Sequence, residues 1–251
     1  CTTMPNGITT SRHRDLTLTR LPQGTLVVAC DSCGSIGQKP ADALQVPAYY
    51  CGRFTARVAL MEVLAFGARP VTVANAVSCE MEPTGREIIR GVQEELAAAG
   101  VDQVALTGST EENFPSQMTA LGITVVGYRP GEGSWLPSRE GDLVYAVGRP
   151  KVGGEIDLDR DKEIVSYEEI FRLRQLAGVR EVIPVGSKGI RYEAENAARY
   201  NGLVFTPLDP PPLELEKSAG PATCLIALVD PGCRADLEAL PKATLVGAFR
   251  R

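Results

Sequence analysis

Three short stretches carry residues suited to handling phosphate. The first, Asp31-Ser32-Cys33-Gly34-Ser35-Ile36-Gly37-Gln38-Lys39, follows an apolar run. A carboxylate there supplies hard oxygen to a divalent cation, glycines let a phosphate approach backbone N–H groups, and Lys39 offers a point charge. The second, Gly108-Ser109-Thr110-Glu111-Glu112-Asn113, adds two hydroxyls and two carboxylates. The third, Gly186-Ser187-Lys188-Gly189, stands before a helical stretch, where free N–H groups favour an anion. Lys217-Ser218-Ala219-Gly220-Pro221-Ala222 has a similar make-up. Each stretch has a plainer reading beside this one. The first reads as a tight turn with a solvated lysine, the second as a helix cap by Ser109 or Thr110 with its glutamates in water, the third as an ordinary strand-to-helix connection. Glu62, among Met61, Val63 and Leu64, is either a wet helix edge or a carboxylate held by a cation. The spacing of a Walker phosphate loop occurs nowhere.

Composition narrows the chemistry further. His13 is the only histidine, which removes His-rich zinc sites and most imidazole-based mechanisms. Carboxylates, Lys, Arg and backbone amides remain, and these suit metal-assisted phosphoryl transfer, which depends on positioning and charge stabilisation. A net charge of −5 argues against a nucleic-acid partner. The longest apolar run, Cys224 to Val229, is far short of the ~20 residues of a membrane-spanning helix. Cys1-Thr2-Thr3-Met4 lacks the layout of a secretory signal, and the 7 cysteines are scattered, some inside apolar runs as reduced core thiols are. Those features point to a cytoplasmic protein. Cys30-Asp31-Ser32-Cys33 has redox or zinc spacing without a second pair.

The elements that must position these residues read as alternating strands and helices. Thr25 to Cys30 predicts a buried strand that ends at Asp31. Tyr49 to Ala68 is helical, with Phe54, Val58, Met61 and Ala65 on one face. Val71 to Val77 is a strand, Thr84-Gly85-Arg86-Glu87 has the form of a capping box, and Ile88, Val92 and Leu96 follow at helical spacing to Gly100. Strands at Gln103 to Leu106 and Gly122 to Tyr128 precede a connector, Arg129 to Gly141. Beyond it come strand Asp142 to Gly148, helix Ser166 to Leu176, strand Glu181 to Val185, a helix from Tyr192, a break at Asp209-Pro-Pro-Pro212, strand Thr223 to Val229, a short helix and strand Thr244 to Phe249. The pattern implies an α/β or α+β protein in two halves.

Together the motifs resemble the superfamily of aminoimidazole ribonucleotide (AIR) synthase, thiamine monophosphate kinase and selenophosphate synthetase. The resemblance rests on Cys30-Asp31-Ser-Cys-Gly-Ser-Ile-Gly37, on Glu62-Val-Leu-Ala-Phe-Gly67-Ala68-Arg69-Pro70 and on Gly108-Ser109-Thr110-Glu111, in that order. Glu62 stands where relatives carry Asp, and Glu111 lies one place later than their acid. Asp31-Ser-x-Gly-Ser-Ile-Gly, Gly108-Ser-Thr-Glu, Val185-Gly-Ser-Lys-Gly-Ile and Lys217-Ser-Ala-Gly-Pro-Ala look most like the α-ribazole kinase family. The resemblance implies a two-domain α+β fold. Residues 1–130 would form an ATP-binding, dimerising mixed sheet or barrel flanked by helices, and 131–251 an α/β half. It implies a homodimer whose N-terminal sheets pair, with ATP in the adjoining groove. It implies transfer of the ATP γ-phosphoryl group to a ribonucleoside-type alcohol, α-ribazole in cobalamin lower-ligand salvage. Asp31, Glu62 and Glu111 would hold Mg2+, Lys39 would act in catalysis with Asp31 and Glu111, and the amides of Gly108 and Ser109 would stabilise phosphate charge. Ser32, Gly34, Ser35, Gly37, Thr110, Asn113, Ser187, Lys188 and Lys217 complete the implied nucleotide contacts. The alternatives are another ATP-dependent enzyme of this fold, whether a cyclase or a protein of thiamine monophosphate kinase or hydrogenase-maturation type, or a nucleotide-binding protein without turnover.

Overall fold

The computed structural model describes residues 7–131 and 136–251 and the backbone of Thr2 and Thr3. Part of the expected connector, residues 132–135, and Cys1 of the thiol set lie outside the described residues. The chain divides into two compact units, Cys1–Gly133 and Ser134–Arg251.

In the first unit the strands are β1 (Thr2–Thr3), β2 (Thr9–His13), β3 (Leu16–Leu21), β4 (Gly24–Gly34), β5 (Ile36–Gly37), β6 (Leu44–Gln45), β7 (Arg69–Val77), β8 (Ala105–Ser109) and β9 (Ala120–Pro130); α1 spans Ala48–Phe66 and α2 Arg86–Ala98. Seven strands form one mixed sheet in the order β1-β2-β3-β4-β9-β7-β8, parallel between β7 and β8 and antiparallel elsewhere. β4 does not stop at Asp31 but continues to Gly34, because β9 pairs with it along its whole length, from Gly24↔Pro130 to Gly34↔Ala120. The run of β2 and β3 had no counterpart in the expected elements. Its Thr-rich alternation buries only Leu16 and Leu18 fully among its apolar residues, a weak signal for a half-covered hairpin.

Val27 and Ala29 of β4 and Leu121, Ile123 and Val125 of β9 are buried on one face, beneath α1. α1 is buried nearly all round, since the sheet lies on one side and α2 on the other. Two glycines set the helix–helix distance: a Cβ at Gly52 would lie 2.0 Å from the Ile88 carbonyl oxygen, and one at Gly91 2.0 Å from that of Tyr49. Gly67, at φ 85°, ends α1 by donating to the Leu64 carbonyl and turns the chain straight into β7. The capping box at Thr84 is not formed. Thr84 donates its hydroxyl to Glu80 at 2.5 Å, and a π-type turn, Met81–Gly85, leads into α2 instead.

The second unit holds β10 (Leu143–Gly148), α3 (Tyr167–Gln175), β11 (Val179–Pro184), α4 (Gly189–Tyr200), β12 (Val204–Pro207), β13 (Cys224–Val229), α5 (Arg234–Glu238) and β14 (Ala243–Arg250). Its sheet, β11-β13-β10-β14-β12, is antiparallel throughout. β13 is buried at every residue, and its core partners include Ile183, Ile190, Val246 and Phe249. α3 opens on a capping box in which Ser166 and Glu169 exchange bonds. α4 starts at Gly189, three residues before the expected Tyr192, and Gly189 enters it at φ 82° under the Leu215 carbonyl, where a Cβ would come within 2.6 Å.

Candidate active site

The strand order brings the expected site segments to one edge of the first sheet. β9 runs opposite to β4 and β7, and β8 runs with β7, so β4, β7 and β8 end where β9 begins. Asp31, Ile123, Asn75 and Gly108 lie in register across the four strands, and Ser32, Gly122, Ala76 and Ser109 form the next row. Three connections leaving this edge are tied together. Ser35 N–H donates to the Thr119 carbonyl at 2.9 Å, and Glu111 N–H to the Cys79 carbonyl at 2.9 Å. Asp42 accepts from the Thr119 amide, the Thr119 hydroxyl and the Lys39 amide, each at 2.8 Å. Burial opposes ionisation of Asp42, and these three donors outweigh it, leaving the carboxyl below its ordinary range.

Asp31 begins this row on β4, and among the described residues no cationic side chain stands beside it. By the two-residue period of β4 it shares a face with Val27, Ala29 and Cys33, toward α1, while Cys30 and Ser32 point to the other face. Burial pushes its carboxyl up to about 6, against a smaller lowering by the Ser32 amide. Lys39 belongs to the same edge, but its ammonium donates to Glu80 at 2.6 Å. Burial raises Glu80, yet Lys39 and Thr84 together keep it below the usual carboxylate range. Gly34 is exposed, and Ser35 has a left-handed φ of 60°. Gly37 serves packing: a Cβ there would lie 2.1 Å from the Thr119 hydroxyl and 2.7 Å from Asp42.

In the second stretch Gly108 and Ser109 close β8, the outer strand of the sheet. Neighbouring residues of a parallel strand point their N–H groups to opposite sides, so one of these two amides faces outward. No helix follows, so neither Ser109 nor Thr110 is a helix cap. Thr110 donates to Glu112 at 2.8 Å, and Glu112 accepts from Met81 N–H at 2.8 Å. The Glu111 carboxylate accepts from the amides of Asn113 at 2.7 Å and Phe114 at 3.2 Å, which hold it below its ordinary value.

Among the described residues, the three carboxylates expected at magnesium, Asp31, Glu62 and Glu111, are not gathered into one group. Cys51 and Thr55 of α1 reach Cys33, near Asp31. Glu62 follows Thr55 by seven residues, about 10 Å further along the helix. There Val63 packs on Gly127, which pairs with Val27, four residues before Asp31. Glu62 is 8% exposed and accepts from Arg14 at 3.5 Å. Among the described residues no three His, Cys, Asp or Glu side chains are placed to hold a metal ion. A magnesium ion that takes most of its ligands from phosphate and water needs only one or two carboxylates. Asp31 is an oxygen donor of that kind, and Glu62 is engaged by Arg14.

In the second unit Ser187 and Lys188 are exposed at the start of α4. The Lys188 ammonium lies 4.3 Å from the Tyr192 ring and donates to its hydroxyl at 3.2 Å. Lys217 donates to Glu155 at 3.0 Å, on the wall of a hollow of about 830 Å³ with Lys151, Glu163 and Leu213.

Residues 14–128 match the family model described as AIR synthase related protein, N-terminal domain. The thiamine-monophosphate kinase of Stenotrophomonas maltophilia K279a superposes with a TM-score of 0.65 at 19% identity, over 98% of this chain and 89% of that one. The fold is AIR synthase-like. The Aquifex aeolicus thiamine monophosphate kinase agrees at a TM-score of 0.69 and 13% identity, over 96% and 90% of the two chains. HypE of E. coli agrees at 0.64 and 15%, over 89% and 79%. A further neighbour, AaThiL, is complexed with AMPPCP and TMP. No curated protein sequence matches the chain. Among the described residues no helix is long and apolar enough to cross a membrane.

Sequence reasoning missed two members of this AIR synthase-like edge. Asn75 is 5% exposed in the row with Asp31, and its amide oxygen occupies the space above Gly108, where a Cβ would approach it to 2.1 Å. An Asn inside the Val-rich run Val71 to Val77 was the available signal, since buried amides are uncommon in strands. Glu80 lies outside every motif, and only the fold places it against Lys39.

Proposed function

We propose that this chain is an ATP-dependent small-molecule kinase that transfers a γ-phosphoryl group to a ribonucleoside-type alcohol, with α-ribazole as the acceptor, and that it works as a homodimer through its first unit. One observation carries the site: Asp31 is a half-buried carboxylate with no cationic side chain beside it among the described residues, on an edge built of glycines and small hydroxyl residues. Such a group raises its own pKa and weakens the fold, which is characteristic of functional positions. Magnesium arriving with the nucleotide would take Asp31 as its protein carboxylate and would offset phosphate charge. The outward amide of Gly108 or Ser109 would donate to phosphate oxygens as charge develops on them. Lys39 would exchange Glu80 for phosphate, leaving Glu80 to Thr84. The solved thiamine-monophosphate kinases of the same fold support the reaction class.

The test is ADP formation with magnesium and ATP across a panel of nucleosides, α-ribazole and thiamine monophosphate. The expected result is acceptor-dependent ADP with α-ribazole and a phosphate on its 5′-hydroxyl. Phosphorylation of thiamine monophosphate alone would move the acceptor to the other kinase type. Nucleotide binding without ADP from any acceptor would favour the reading without turnover, which the engagement of Glu62 with Arg14 and of Lys39 with Glu80 supports.

A further inference from the structure

The hollow of the second unit takes no part in the phosphate chemistry assigned to Asp31. At about 830 Å³ it has the size of a small-molecule site, and it lies between the chain leaving β10 and the Pro-rich segment that precedes β13. Both walls are fixed by the fold. Lys151 N–H donates to the Thr223 hydroxyl at 2.9 Å, and the Leu215 carbonyl accepts from Arg191 N–H, in the first turn of α4, at 2.9 Å. Thr223 and Leu215 are fully buried. Pro150, Pro211, Pro212 and Leu213 give the lining its apolar surface. Three cationic side chains stand around them, and each is held by a carboxylate. Lys217 donates to Glu155 at 3.0 Å, Lys151 to Glu163 at 2.8 Å and to Asp161, and Arg149 meets Glu163 at 3.0 Å. Glu214 also lines the hollow and has no cationic partner among the described residues.

We propose that this hollow binds an uncharged ribonucleoside with an apolar bicyclic base, the base against the prolines and the ribose hydroxyls on Glu214. A ligand carrying phosphate would have to break an ion pair before it met a cation. An uncharged nucleoside breaks none, and its hydroxyls donate to a carboxylate that has no other partner. An apolar ring gains from covering Pro150, Pro212 and Leu213, whereas a base with polar groups along its edge would leave them without water or a partner. That this nucleoside is the phosphoryl acceptor rests on the proposed kinase reading; its binding here does not.

The test is calorimetric titration of the full chain, without nucleotide, with α-ribazole, uridine and thiamine monophosphate. The wild type should bind α-ribazole about tenfold or more tighter than either of the others. Pro212→Asp, at an exposed position, should weaken α-ribazole about tenfold, because a carboxylate then faces the apolar base. Glu155→Gln should release Lys217 and tighten thiamine monophosphate about fivefold, a gain that a damaged fold would not give. Unchanged α-ribazole affinity in Pro212→Asp, or equal affinity of the wild type for uridine, overturns the hollow as the nucleoside site. No gain in Glu155→Gln overturns the exclusion of phosphate by paired cations. Two further outcomes separate this site from the kinase reading. ADP formation from α-ribazole with an unchanged KM in Pro212→Asp keeps the kinase and overturns the hollow. Binding of α-ribazole that Pro212→Asp weakens, with no ADP from the wild type, keeps the hollow and overturns the kinase.

Discussion

Two regions of the first unit treat buried charge in opposite ways. Along the seam of α1 and α2, Glu95 is 1% exposed and accepts from Arg53 at 2.9 Å and Arg57 at 3.3 Å, and elsewhere on α1 Glu62 meets Arg14 of the β2–β3 turn. At the sheet edge, Asp31 is partly buried with only the Ser32 amide to favour its ionised form. A buried carboxylate with matched guanidinium groups holds elements in place. A carboxylate denied a cation is available to a ligand that brings one. Partnering thus separates the two roles, although Asp31 and Glu62 look alike as acids beside apolar runs.

The largest effect should come from breaking the seam. Glu95→Gln leaves Arg53 and Arg57 buried without their shared counter-charge, which costs roughly 3–5 kcal/mol of stability. Urea unfolding checks it, and a loss below about 1 kcal/mol would mean that the seam is open to water. At the edge, Asp31→Asn should lower magnesium-dependent ATP turnover about a hundredfold or more with the fold retained. Near-normal turnover would reduce Asp31 to a strand residue. Glu62→Gln sharpens the contrast. A ligand reading predicts weaker MgATP binding, whereas the Arg14 pair predicts unchanged binding and a stability loss of about 1–2 kcal/mol. Calorimetric titration and urea unfolding of the same preparation separate them.

Much of the frame was legible because local patterns and tertiary burial agree. The apolar face of α1, the Gly67 stop and the runs of β7, β10 and β13 all appear where periodicity places them. The misses have physical causes. The end of β4 depends on pairing with β9, distant in sequence, in the register Gly34↔Ala120, so Asp31 proved to be inside a strand. Thr84 had the chemistry of a cap, but Glu80 was a nearer acceptor for its hydroxyl. For the site, the family resemblance grouped Asp31 with the Gly108 loop, and both lie on one edge of the first sheet. It could not show that Arg14, on the turn between β2 and β3, would reach Glu62. Ion-pair partners distant in sequence are a property of the fold, and they decided which acids remained free.

The smallest effect tests the same comparison through pH. The Asp31 carboxyl rises from an ordinary 3.8 to about 6 on folding. A raised folded-state pKa means that the protonated form is the one the fold prefers. The stability this group contributes is therefore fully present below pH 3.8 and is lost as pH rises through about 6. Asparagine keeps the shape and has no proton to lose. The difference in stability between Asp31→Asn and wild type should be flat below pH 4, grow between pH 4 and 6, and level off above, with the variant more stable by about 1 kcal/mol once water's access to the half-exposed side chain is allowed for. Urea midpoints taken across that range measure it. Glu62→Gln should show the opposite sign at neutral pH, since its carboxylate has Arg14 to lose. If Asp31→Asn were instead destabilising at pH 7, the aspartate would have a partner that favours its charge, and the distinction between the edge and the seam would fail at its central residue.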